Sequence, residues 1–97
     1  MLRVTSAAIE YLRKRRLASG FGEQDGVRLA RTDGQLRLSF RRGPLRGDRV
    51  VDQGTIPIFL DPSIADRADE AILDSRPEGD HTVLVLRRRT QAAGSGG

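Results

Sequence analysis

The chain has no cysteine and no tryptophan among its 97 residues, and it has a single histidine, a single tyrosine and three phenylalanines. Without cysteine there can be no disulfide, no thiolate zinc site, no cysteine-ligated iron-sulfur cluster and no cysteine nucleophile. Lysine is nearly missing too: Lys14 stands against 16 arginines, and together they face 13 acidic residues for a formal net charge of +4. Long apolar runs are also lacking. The longest, around Thr82 to Leu86, falls far short of the roughly 20 residues that a membrane span needs. With no apolar stretch at its amino terminus, the chain reads as a cytoplasmic protein without a membrane segment.

Leu, Ile, Val and Phe contribute 25 residues, above the roughly 20% below which a highly charged chain tends to stay unfolded. The length suits one modest core, and the pattern predicts an α+β fold of short, mostly antiparallel or mixed strands with one longer amino-terminal helix and one short helix. Leu2 to Val4 alternate as a short strand, and Thr5 or Ser6 offers an oxygen to cap a helix over Ala7 to Ala18. Ala8, Ile9 and Leu12 share one face of that helix, Arg13 to Arg16 suit its carboxyl end, and Ser19-Gly20 ends it. Val27 and Leu29 then alternate with polar neighbours. Asp33-Gly34 is the strongest hairpin signal in the chain, because a two-residue turn wants positive φ angles and glycine adopts them freely. The returning strand puts Leu36, Leu38 and Phe40 on one face.

Arg42 to Arg49 reads as a connection, Val50-Val51 as a strand, Asp52-Gln53-Gly54 as a turn, and Ile56 to Leu60 as the next strand. Pro57 predicts that this last strand lies at an edge or turns its missing N–H outward, and an exposed edge there would be free to pair with a second copy. Asp61-Pro62 should open a short helix running through Ala71. Ile72-Leu73 follows as a short extended segment, then a turn over Arg76 to Asp80 and a strand over His81 to Arg87 with apolar groups on both faces, as for a strand covered on both sides. Residues 1–89 are expected to form the domain, and residues 90–97, rich in Gly, Ser and Ala, a flexible tail.

The order of these elements and several short stretches resemble the HesB/IscA family of A-type iron-sulfur carriers. The stretches are Val4-Thr5 before a helix with Ala8, the Val27-Arg28-Leu29 strand, Gly47-Asp48 ahead of Val50-Val51, Ile56 to Leu60 followed by Asp61-Pro62, and Leu73-Asp74 before a glycine turn and a last strand. The resemblance covers roughly Met1 to Arg87 and implies the family's fold, a role near iron-sulfur cluster assembly and a protein partner or homo-oligomer. Cluster-binding members carry one cysteine in the loop after the strand that matches Val27 to Arg31, and a Cys-Gly-Cys near the carboxyl end. Here those places read Thr32-Asp33-Gly34-Gln35 and Gly94-Ser95-Gly96. A serine hydroxyl stays protonated and hard where the cluster selects soft thiolate. The resemblance therefore implies a non-enzymatic interaction or accessory module that binds no cofactor or metal with its own side chains.

No catalytic set stands out. His81 has only Glu78 and Asp80 as near neighbours, no Gly-x-Ser-x-Gly accompanies any serine, and Gly20-Phe21-Gly22 follows a helix where a phosphate loop would follow a strand. Asp61, Asp66, Asp69, Glu70 and Asp74 read as a solvated acidic face. The alternative reading is an arginine-rich anion or nucleic-acid binding module, with Arg13, Arg15, Arg16, Arg41, Arg42, Arg46 and Arg49 as its anion-binding groups and Arg87 to Arg89 as a third basic group. Nucleic acid ranks behind a protein partner, because base stacking needs exposed aromatics on a strand platform and Phe40 and Phe59 read as core.

Overall fold

The computed structural model describes residues 2–52 and 56–88. The fold is α+β, in the order β1 (Arg3–Val4), α1 (Ser6–Ala18), β2 (Gly26–Thr32), β3 (Gln35–Arg41), β4 (Arg49–Asp52), β5 (Pro57–Leu60), α2 (Pro62–Ala65), a 3-10 turn (Ala68–Glu70), β6 (Ala71–Glu78) and β7 (His81–Arg88). The tail expected at residues 90–97 and the tip of the turn at Gln53-Gly54 lie outside the described residues.

The strands form two sheets, one ordered β1-β6-β7 and the other β3-β2-β5-β4. β1 runs parallel to β6 and β2 parallel to β5, while the other neighbours are antiparallel. One apolar cluster joins the two sheets. Val27 and Leu29 of β2, Ile58 and Leu60 of β5 and Val51 of β4 meet Ala71 and Leu73 of β6, with Ala8 and Leu12 of α1 and Ile64 of α2 closing the ends. Burial of the Val, Leu and Ile side chains among them contributes about 1.5–3 kcal/mol each. Leu36, Leu38 and Phe40 pack against this cluster from β3, as their two-residue spacing requires.

Local chemistry accounts for the element boundaries. Thr5 caps α1 by accepting the Ala8 amide on its hydroxyl, and Asp61 caps α2 by accepting the Ser63 amide, with Pro62 at the first helical position. Asp33 and Gly34 both have positive φ, 52° and 77°, the pair of left-handed residues that a type I′ hairpin turn demands.

Three expectations are corrected. β5 is not an edge: it lies between β2 and β4. Pro57 is tolerated because it is the first residue of the strand, paired only with Asp52, and the ladder to β2 starts one residue later at Val27 and Ile58. The short helix stops at Ala65, a 3-10 turn follows, and β6 runs on through Arg76 to Glu78 because β7 pairs with it along its whole length. Pro77 fits inside β6 because β1 accompanies only Ile72 and Leu73, which leaves the strand's other side without a ladder there. The four apolar residues of β7 are all half-buried: Leu84 and Leu86 pack against the core, and Val83 and Val85 lie on the other face, opposite Arg76 and Asp74.

Candidate functional site: arginines and their partners

Charged side chains divide into those used inside the fold and those that face outward. The most deeply engaged is Arg28, on the face of β2 opposite the core. Its Nε donates to Asp48 Oδ2 at 2.9 Å and its Nη2 to Asp48 Oδ1 at 3.0 Å, a bidentate fork, and Nη2 also donates to Asp61 Oδ1. The Asp48 side chain is 0% exposed and that of Arg28 only 17%. Asp48 Oδ2 accepts the Leu45 amide as well, and the other oxygen of Asp61 accepts the Ser63 amide that caps α2. One guanidinium thus ties the connection between β3 and β4, and the start of α2, to the middle of a sheet. Partners 20 and 33 residues away in sequence leave no periodic signal, so sequence reasoning missed this centre.

The electrostatic consequences all run one way. The hydrogen bond from Arg28 holds the Asp48 carboxyl below its ordinary value, against the opposing effect of burial. The same bond raises the Arg28 guanidinium. Asp61 is lowered by the Ser63 hydroxyl and amide first and by Arg28 after them. Asp74 is lowered by the Thr5 hydroxyl, which donates to it at 2.7 Å, then by the Ser75 amide and by Arg87. Each of these three carboxyls stabilises the folded state at pH values above the ordinary carboxyl range, and that contribution is lost as the pH falls through the lowered folded value.

The arginines singled out from sequence have different partners. Arg16 is buried, and its Nη1 donates to the carbonyls of Asp25 at 2.8 Å and Glu23 at 3.2 Å, so it holds the loop after α1 and is not presented to a ligand. Arg42 lies beside the Asp25 carboxylate at 3.7 Å, which brings the second basic group to the same loop through an acidic residue. Arg41 donates to the Gly43 carbonyl, and Arg49 pairs with Asp69 at 3.5 Å. Arg15 lies over the Tyr11 ring at 6.0 Å, and Arg13 and Arg46 are exposed. Of the third group, Arg87 and Arg88 are described and Arg89 lies outside the described residues.

The acidic face expected around α2 is likewise divided. Asp61 and Asp74 serve the fold, while Asp66, Asp69 and Glu70 are exposed. His81 is exposed next to Asp80 at 3.5 Å. Among the described residues no three His, Cys, Asp or Glu side chains converge as metal ligands, and no helix is long and apolar enough to cross a membrane. Phe40 and Phe21 touch, ring centres 5.7 Å apart, and Phe59 is buried.

What fold and charged groups define together is the class, a small α+β domain with a structural arginine centre and an arginine-rich exterior. Neither the protein-family models nor the curated proteins compared with the chain give a match.

Proposed function

We propose that this chain is a non-enzymatic accessory module of HesB-like build, one that acts by engaging another protein and carries no cluster of its own. The order of strand, helix, two hairpins, short helix and last strand is what that resemblance implies, and an observed order that differs only in pairing the last strand with β6 as a hairpin supports the reading. The observation that carries the non-catalytic part is the state of the carboxylates. Asp48, Asp61 and Asp74 are all shifted downward by partners that belong to the fold, whereas a general acid or base working near neutrality needs a proton affinity moved toward pH 7. The loop where the family's cluster-binding members carry a cysteine is here a tight turn through Asp33 and Gly34, with no soft donor in Thr32 to Gln35.

Anaerobic reconstitution of the purified chain with ferrous iron and sulfide tests this. The expected result is iron well below one atom per chain after desalting and no visible charge-transfer band. A stable band with stoichiometric iron would overturn the reading, because it would require a ligand set of oxygen and nitrogen donors.

A further inference from the structure

The core-facing sides of the two sheets each end in an arginine. Arg31 follows Val27 and Leu29 at two-residue steps along β2, and Arg88 stands two residues beyond Leu86 on β7, directly across from Ala71. Arg67, between α2 and the 3-10 turn, and Arg87 join them around a cleft of about 380 Å³, with Glu70 as the only acidic lining group among the described residues. Arg31, Arg67 and the Arg87-Arg88 pair come from three separate stretches, so only the fold brings them together. Because Ala71 presents no more than a methyl opposite Arg88, the space between the guanidiniums is not filled by the neighbouring strand.

Arg67 and Arg88 are available in a way that Arg28, Arg42 and Arg49 are not. Arg28 is fully engaged by carboxylates, and Arg42 and Arg49 each sit beside one. Arg67 and Arg88 have no ion pair or side-chain hydrogen bond among the described residues, Arg31 reaches only the Gly34 carbonyl at 3.4 Å, and Arg87 shares Asp74 at 3.4 Å. The side chain of Arg87 leaves β7 on the opposite face from that of Arg88, toward Asp74, so three guanidiniums, those of Arg31, Arg67 and Arg88, against one lining carboxylate leave a concentrated positive charge in a concave place.

We propose that this cleft binds a phosphate monoester. Several planar forks converging from different elements suit a tetrahedral dianion with three acceptor oxygens, whereas a single carboxylate is satisfied by one arginine. No aromatic side chain lines the cleft, so the stacking that single-stranded nucleic acid uses is missing. Its volume admits the phosphate and a few attached atoms, not a polymer backbone. A phosphorylated side chain of a protein and a small phosphorylated metabolite both present this group. The inference stands apart from the HesB-like reading and does not depend on it.

The test is a titration of the full-length ¹⁵N-labelled chain, followed at the arginine side-chain N–H signals. The probes are phenyl phosphate, a phosphoserine tripeptide, phenyl sulfate and a short single-stranded oligonucleotide. Saturable shifts at Arg67 and Arg88 are expected with both phosphates, and binding should tighten severalfold from pH 5.5 to pH 7.5 as the second ionisation near pH 6 completes. Phenyl sulfate, a monoanion throughout, should bind more weakly and show no such dependence. R67Q/R88Q should weaken phosphate binding by about tenfold or more, through loss of charge-assisted hydrogen bonds. R13Q/R15Q should leave it unchanged. A preference for the phosphopeptide assigns the source to a protein, and equal binding assigns it to a small ester. Unmoved Arg67 and Arg88 signals in the wild-type chain would overturn the proposal. So would wild-type affinity in R67Q/R88Q, or an oligonucleotide that binds more tightly and depends equally on Arg13 and Arg15.

Discussion

Arg28→Met is expected to lower the folding stability of the chain by about 3 kcal/mol, because it leaves a buried carboxylate without its cation. Methionine roughly preserves the volume of the arginine stem, so the change is mainly electrostatic. Asp48 is 0% exposed and would keep only the Leu45 amide after losing both arms of the fork. Asp61 suffers less, because its Ser63 contacts remain. A domain of this size has a total stability on the order of 5–15 kcal/mol, so the loss is a large share of it. Urea unfolding at pH 7 measures it directly. Coupling to Asp48 is checked by Arg28→Met/Asp48→Asn, in which the neutral amide replaces the stranded charge. The double variant should cost clearly less than the sum of the two single ones. A loss below about 1 kcal/mol in the single variant would mean that Asp48 finds water once the arginine is gone, contrary to its burial.

The second large effect belongs to Gly26, where β2 begins. A Cβ at this position would lie 2.7 Å from the Pro57 carbonyl oxygen and 2.8 Å from two ring atoms of Phe59. The oxygen is backbone and the ring is itself buried at 4% exposure, so neither can move aside cheaply. Gly26→Ala should therefore cost about 2–3 kcal/mol through overpacking. Gly43→Ala is the matched control: a Cβ there meets nothing within 4 Å, and the change should stay within about 0.5 kcal/mol. Thermal or urea unfolding of both variants decides the point. Equal stability of the two would mean that β2 and β5 are farther apart at this end than the structure places them.

Much of this fold is legible in the sequence because its signals are local. The Asp33-Gly34 turn, the Leu36, Leu38 and Phe40 stripe and the caps at Thr5 and Asp61 each depend on residues within a few positions of one another. The errors share a cause. Pro57 argues against an interior strand only if the ladder on both sides reaches it, and that depends on where β2 begins its pairing with β5, which no local pattern states. The length of β6 is set by its partner β7, so its end at Glu78 is hidden in the segment itself.

The charged groups were less legible than the strands, for the same reason. Runs such as Arg13 to Arg16 draw attention as clusters, yet their members do different work, and Arg16 is spent on the loop carbonyls of Glu23 and Asp25. The groups that do converge, Arg28 with Asp48 and Asp61, and Arg31 with Arg67, Arg87 and Arg88, come from separate stretches. Spacing along the chain cannot reveal them. Absence is the exception: the lack of any cysteine needs no geometry to exclude thiolate chemistry.

A ¹³C-detected carboxyl titration of the labelled chain reads most directly whether its ionisable interior serves structure and not catalysis. Asp48, Asp61 and Asp74 should all titrate below the ordinary aspartate value. The unfolding midpoint, followed in parallel, should hold steady above about pH 5 and drop as the pH falls below about 4, since the unfolded chain takes up protons first. A carboxyl among these three that titrates between about pH 6 and 8, where a working acid or base would be tuned, would contradict the account.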